Sequence, residues 1–183
     1  PDRRFALISD GKLSFQSTGS GKLYDVLVKV YGLETAGQML PVELPAEEGA
    51  AVRHGGRPRV TGYTGAPSLH RSNRSYITLF VNRRWFQDGS LAYAIIQAYH
   101  TMLPVGRYPL ALLFIEMDPA DVDVNVHPTK AEVRFRDNSA VFSAVQRTLR
   151  RVLMEHAPIP QATWGEASPP AAPLRWEQLA AWT

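Results

Sequence analysis

Leu110-Ala111-Leu112-Leu113-Phe114-Ile115-Glu116-Met117 is a near-continuous apolar run, and it decides the fold class. Such a run is the sign of a buried central strand. A central buried strand needs neighbours. Arg59–Thr64 and Tyr76–Asn82 are the strand-like runs before it. Val122, Val124 and Val126 alternate with Asp121, Asp123 and Asn125, the pattern of a half-buried strand, and Glu132–Phe135 is a further short one. Asp121 and Asp123 are expected on one polar face as solvated charges, not as paired catalytic carboxylates.

Helical periodicity fills the intervals. Residues 22–31 place Leu23, Val26, Leu27 and Val30 on one face, with Gly32 as the stop. A second helical stretch is expected to run to Leu40, ended by Pro41. Asp88 or Ser90 can cap a helix that carries Leu91, Ala94, Ile95, Ala98 and Met102 inward. Asn138 can cap a last helix that turns Val141, Phe142, Val145, Leu149, Val152 and Leu153 inward and Arg147, Arg150 and Arg151 outward. At the N-terminus, Arg4–Ile8 and Lys12–Gln16 flank an Asp10-Gly11 turn and predict a hairpin. The class is α/β or α+β: one mixed sheet with helices mainly on one side.

Composition narrows the chemistry. The 183 residues are 45% hydrophobic and 20% charged, ordinary for a folded globular chain. There is no cysteine, which excludes a disulfide scaffold, a thiol nucleophile and a cysteine-ligated metal. No apolar run reaches the roughly 18 residues of a membrane span, so no membrane partner is expected. The five histidines share no metal-ligand spacing, and no metal site is expected. Gly19-Ser20-Gly21-Lys22 looks like the end of a phosphate-binding loop, but Gln16 and Leu23 stand where that motif needs Gly and Ser or Thr. Ser20 is expected instead to cap the helix that follows. The start at Pro1 rather than Met points to a piece of a longer chain, and the Pro- and Ala-rich residues 158–183 read as a tail or the start of an interdomain linker.

Charge is more informative by position than in total. The net charge is only +3, yet seven arginines lie between Arg53 and Gln87 without one Asp or Glu. Such a block needs an anionic partner or extensive solvation. The chain uses Arg for positive charge almost everywhere, and Lys130 is the only lysine after Lys29. It follows His127-Pro128-Thr129, where proline stiffens the backbone, and an ammonium on a stiff loop suits a phosphate contact.

Four pieces carry a family resemblance: Ser68–Arg74, Phe80-Val81-Asn82-Arg83-Arg84, the helix with Ala94-Ile95 and Ala98-Tyr99, and Val122–Phe135. Together they closely resemble the MutL family of DNA mismatch repair proteins over about residues 4–155. The matching region of that family is the transducer, the second half of its N-terminal region, after a GHKL-type ATPase. None of the ATPase motifs stands here. The resemblance implies a ribosomal-protein-like fold with a mixed sheet, helices on one face and a left-handed βαβ crossover, over residues 1–157.

It also implies roles. Lys130 would reach into the ATPase half and contact the γ-phosphate of ATP, on a loop shaped by Asn125, His127, Pro128 and Thr129. Arg71, Arg74, Arg83 and Arg84 would line a basic DNA groove, with Arg147, Arg150 and Arg151 as further candidates, while Arg71 and Arg74 could instead brace the ATPase half. Some relatives carry a basic residue where Gly89 stands here. ATP and Mg2+ are expected for the parent protein and none for this chain alone, which would be inactive and monomeric. The parent is expected to be a bacterial cytoplasmic ATPase that works with a MutS-like mismatch-recognition protein; some relatives also carry a C-terminal nuclease. An autonomous nucleic-acid-binding protein on the same scaffold, of ribosomal or RNA-processing type, is the alternative, and it does not need the His-Pro-Thr-Lys loop.

Overall fold

Asp10 and Gly11 both take positive φ (51° and 72°), the geometry of a two-residue hairpin turn that matches strand twist. They join β1 (Ala6–Ser9) to β2 (Lys12–Gln16), antiparallel as expected. The computed structural model describes residues 1–43, 57–126 and 132–156, and for 124–126 and 132 the backbone only. Residues 158–183 lie outside the described residues.

Helix α1 (Leu23–Tyr31) follows, then α2 (Leu33–Gly37), with Gly32 at φ 85° between them. Ser20 does not cap α1: its hydroxyl accepts the Lys22 N–H at 3.3 Å, a turn ahead of the helix, and Lys22 at the cap position offers no side-chain bond. The buried face also differs from expectation. The stripe against the core is Tyr24, Leu27, Val28 and Tyr31, while Val30 is 52% exposed. Two tyrosine rings outweigh the smaller aliphatics and rotate the helix by about one residue; Tyr24 meets Tyr63 with centroids 6.1 Å apart.

The expected helix to Leu40 stops at Gly37, and Met39–Val42 form strand β3 instead. It pairs antiparallel with β4 (Arg59–Gly65). β3 is an edge strand, where a proline such as Pro41 is tolerated because one side makes no ladder bonds. The expected polar loop before the next strand contains β5 (His70–Arg71) and a 3-10 turn, Arg74–Tyr76. Then come β6 (Ile77–Val81), β7 (Arg84–Phe86) and α3 (Gly89–Tyr99). Asp88 caps α3, its Oδ1 accepting the Leu91 N–H at 2.7 Å. Beyond them lie β8 (Tyr108–Pro109), β9 (Ala111–Glu116), β10 (Val122–Val126), β11 (Glu132–Phe135) and α4 (Asn138–His156). The cap of α4 is Asp137, one residue before the expected Asn138: its Oδ1 accepts the Ala140 N–H at 2.9 Å.

The main sheet has the order β3-β4-β9-β6-β7, with β6 and β9 parallel and the other neighbours antiparallel. The apolar run 110–117 therefore supplies the central strand. The parallel β6 and β9 are joined by way of β7 and α3. A single sheet was expected; the strand pairs β1–β2, β5–β8 and β10–β11 are separate small sheets. Helices α3 and α4 bury Leu91, Ile95, Val145 and Leu149 with Val60, Leu79 and Ile115 of the sheet. Met102, expected inward, is partly exposed beyond the end of α3. Helices α1 and α2 form a smaller cluster with Met39, Leu69 and Leu110, and Tyr63 and Leu112 pack on it.

Tyr99 ties α3 to the sheet. Its hydroxyl donates to the Gly65 carbonyl, so the Thr64 hydroxyl, 2.7 Å away, must donate to it. Burial pushes the Tyr99 hydroxyl well above the ordinary tyrosine range, against a smaller opposing pull from Thr64. Gly62 shows how closely β4 and β9 approach. At φ 133°, a Cβ there would lie 2.1 Å from the Leu112 carbonyl oxygen.

Candidate nucleic-acid interface

Asn82 and Arg83 form the two-residue turn between β6 and β7, both with positive φ (46° and 72°). Asparagine tolerates that region; arginine there is uncommon and is held by its surroundings. Asn82 is the clamp. Its Nδ2 donates to the Met117 carbonyl at 3.0 Å, its Oδ1 accepts the Met117 N–H at 3.1 Å, and its own N–H donates to the Ile115 carbonyl at 2.9 Å. The tip of the hairpin is thus fastened to the end of the central strand. Arg83 and Arg84 project from this tip, exposed, and neither forms an ion pair among the described residues.

Arg71 and Arg74 sit at the other end of β6. The short β5–β8 pairing sets His70 and Arg71 against Pro109 and Tyr108. The Arg71 guanidinium lies over the Tyr76 ring, 5.3 Å from its centroid, and its Nη1 donates to the His70 carbonyl at 3.1 Å. Arg74 lies over the Tyr108 ring at 5.9 Å. Burial raises the Tyr31 hydroxyl pKa, Tyr76 adds to the rise, and the Arg71 charge opposes it. Asn73 caps the 3-10 turn through the Ser75 N–H. Each cation–ring contact contributes on the order of 0.5–1 kcal/mol and steadies the head group without occupying its N–H edge. The five residues of β6, about 16 Å of strand, lie between the two arginine pairs in the sequence.

The α4 arginines differ among themselves. Arg147 Nε donates to the Ser143 carbonyl at 3.1 Å. Arg151 is half-buried, 4.0 Å from Glu155, with Nη2 3.5 Å from the Glu43 carbonyl, so it is engaged within the chain. Arg150 is exposed. These three stand on the helical layer, not at the β6–β7 tip.

Strands β10 and β11 pair with Val126 opposite Glu132 and bracket residues 127–131. Lys130, His127, Pro128 and Thr129 lie outside the described residues, and Asn125 is described by its backbone only. The base of this hairpin is closed by Arg136, which bonds Asp121 at 3.0 Å and donates its N–H to the Asp121 carbonyl at 2.9 Å. Asp121 is therefore an ion-pair partner in a 3-10 turn, not a solvated charge on a strand, and Asp123 also has an interaction of its own. Among the described residues no three His, Asp or Glu side chains gather as metal ligands.

Periodicity missed two features. The Asn82–Met117 clamp joins residues 35 apart. Phe80 and Phe114, read only as strand residues, stack with centroids 5.0 Å apart at 16°, and the exposed Trp85 stands opposite Phe80 in the register. Alternation within 77–81 and 111–116 was the available signal, but it does not reveal which strands are neighbours.

Residues 27–154 match the family model described as DNA mismatch repair protein, C-terminal domain. The DNA mismatch repair protein MutL of Geobacillus kaustophilus is 40% identical over 183 residues, all of this chain and 27% of that protein. MutL of Shouchella clausii is 39% identical over 161 residues, 88% of this chain and 23% of that protein. The chain thus spans about a quarter of the length of these relatives. A solved structure titled as the N terminal domain of a DNA repair protein superposes with a TM-score of 0.65 at 21% identity, covering 83% of this chain and 48% of that one, and shares its fold. On the model match and the identities along its whole length, the chain belongs to the MutL family of DNA mismatch repair proteins.

Proposed function

We propose that this chain is the transducer of a MutL-like mismatch repair protein, coupling ATP binding in a separate ATPase half to engagement of DNA. The observation that carries the DNA part is the β6–β7 tip, where Arg83 and Arg84 project from a clamped turn with no carboxylate partner among the described residues. Two unpaired guanidinium groups on a fixed frame suit phosphate contacts that do not depend on sequence. Arg71 and Arg74, beyond the other end of β6, would contact phosphates further along the same strand. Arg147 and Arg150 are secondary candidates, and Arg151 is weaker because it is engaged within the chain.

For the ATP part, Lys130 would extend from the β10–β11 hairpin to the γ-phosphate, on a loop shaped by Asn125, His127, Pro128 and Thr129. A contact of unit charges at about 4 Å amounts to on the order of 1–4 kcal/mol between water and a surface-like dielectric. That is enough to bias a hinge between nucleotide-bound and empty forms. ATP and Mg2+ belong to the ATPase half, and this chain has no turnover of its own. The partners are that half, DNA and a MutS-like protein. Bacterial relatives support a cytoplasmic setting.

Mixing this chain with a separately made ATPase half tests the coupling. Turnover should rise on mixing, and Lys130→Ala should cut that rise severalfold while leaving the melting temperature of the chain alone. Unchanged stimulation by Lys130→Ala would refute the assignment of Lys130.

A further inference from the structure

Helices α3 and α4 cover one face of the main sheet, and α1 with α2 cover only one end of the other, over Tyr63 and Leu112. Beside that end, the register lines up Thr61, Phe114, Phe80 and Trp85 across four adjacent strands. Phe80 and Phe114 stack with centroids 5.0 Å apart but belong to neither buried cluster, and Trp85 ends the row 48% exposed. Three large rings in a row, partly open to water, mark a docking surface.

The place where the chain leaves α4 points to the occupant. The register sets Val42 of β3 beside Gly62, so Glu43 follows level with Thr61, at the opposite end of the row from Trp85. Arg151 of α4 brings its Nη2 to 3.5 Å from the Glu43 carbonyl, and α4 ends five residues later, at His156. The chain therefore emerges near the β3 edge, close to the level of the row. Four strand spacings, about 19 Å, separate β3 from β7. The stretch from His156 to Trp176 reaches up to about 65 Å when extended, enough to round the edge and cross the sheet.

Composition and charge agree with this route. Three of the four tryptophans, Trp164, Trp176 and Trp182, follow α4, with Leu174 and Leu179 among them, and Trp85 is the fourth. Arg83 and Arg84, at the turn that leads into Trp85, form no ion pair among the described residues. The residues after α4 carry Glu166 and Glu177 against the single Arg175, a balance that complements the two arginines. A tethered segment also meets the row at an effective concentration on the order of millimolar, well above that of a second copy in dilute solution.

We infer that the aromatic row is the docking surface of the chain's own residues 158–183. Tail tryptophans pack on Phe114, Phe80 and Trp85, and Glu166 and Glu177 face Arg83 and Arg84. The inference goes beyond the DNA and ATP readings and stands without either.

The test uses the full 183-residue chain. Trp164→Phe/Trp176→Phe/Trp182→Phe keeps rings in the tail and leaves Trp85 as the only tryptophan. A second variant carries Ala at the same three positions. Acrylamide should quench Trp85 at least about twofold more strongly in the Ala variant, because a ring otherwise 48% exposed loses its cover. Equal quenching in the two variants overturns the docking. In the Phe variant, Arg83→Glu/Arg84→Glu should open Trp85 to the level of the Ala variant, and adding Glu166→Arg/Glu177→Arg should restore its protection. Acrylamide is neutral, so the charge changes do not themselves alter its access. Protection indifferent to the reversal overturns the pairing of the acids with Arg83 and Arg84. Protection that grows with protein concentration, together with a dimer mass by light scattering, assigns the row to a second copy and overturns the proposal. Matching far-ultraviolet circular dichroism keeps the comparison within one fold.

Discussion

Replacing Asn82 with alanine removes the two side-chain bonds to Met117, at 3.0 and 3.1 Å, and puts a residue with a Cβ and no local bonding at φ 46°. Met117 is buried, so its freed N–H and carbonyl are poorly placed to find water. Each lost bond should cost about 1 kcal/mol, and the left-handed backbone about 1 kcal/mol more, for a total of about 3 kcal/mol. Asn82→Gly removes the same bonds without the backbone penalty and should cost about 2 kcal/mol. Urea unfolding followed by far-ultraviolet circular dichroism reads both values, provided the denaturant slope stays constant. The same variants loosen the tip that carries Arg83 and Arg84 without removing charge. DNA affinity should therefore fall while its salt dependence keeps its slope. If both variants unfold within about 0.5 kcal/mol of wild type, the clamp does not hold the turn.

Gly62→Ala forces a Cβ to within 2.1 Å of the Leu112 carbonyl oxygen and should cost on the order of 3 kcal/mol, lowering the melting temperature by roughly 10 °C; a shift under about 2 °C would contradict the close approach of β4 and β9. The raised pKa of Tyr99 sets a pH dependence. Its contribution is fully present below the unfolded value near 10 and is lost as pH rises from there toward the higher folded value, because the unfolded chain gives up the proton first. Tyr99→Phe should lower stability at neutral pH by about 1–3 kcal/mol and flatten the alkaline fall; an alkaline limb as steep as wild type would assign that fall to other groups.

Several elements were legible because one local signal sufficed. The run 110–117 is apolar at both parities, and β9 is central and flanked on both sides. Capping residues came in pairs, Asp88 with Ser90 and Asp137 with Asn138, and only geometry selects Asp88 and Asp137. Misreadings came where a second effect outweighed the local one. Tyrosines turned α1, and Pro41 marks an edge strand as readily as a helix end. The candidate site was half legible. An arginine block without acids is visible in composition, but that Arg71 and Arg74 lie on tyrosine rings while Arg83 and Arg84 project from a clamped tip without an ion pair among the described residues depends on contacts between distant strands. The Asn82–Met117 pair has no periodic trace, and the alternation that sets Phe80 and Phe114 on one face does not say that their strands are neighbours.

The measurement that bears most directly on the DNA role of this chain is duplex affinity as a function of salt, for wild type and for Arg83→Ala/Arg84→Ala. The account predicts a linear fall of log K with log salt between roughly 50 and 200 mM, and a slope shallower by about 1.8 in the double variant, close to 0.9 for each phosphate contact removed. Affinity indifferent to salt, or a double variant with the wild-type slope, would contradict it.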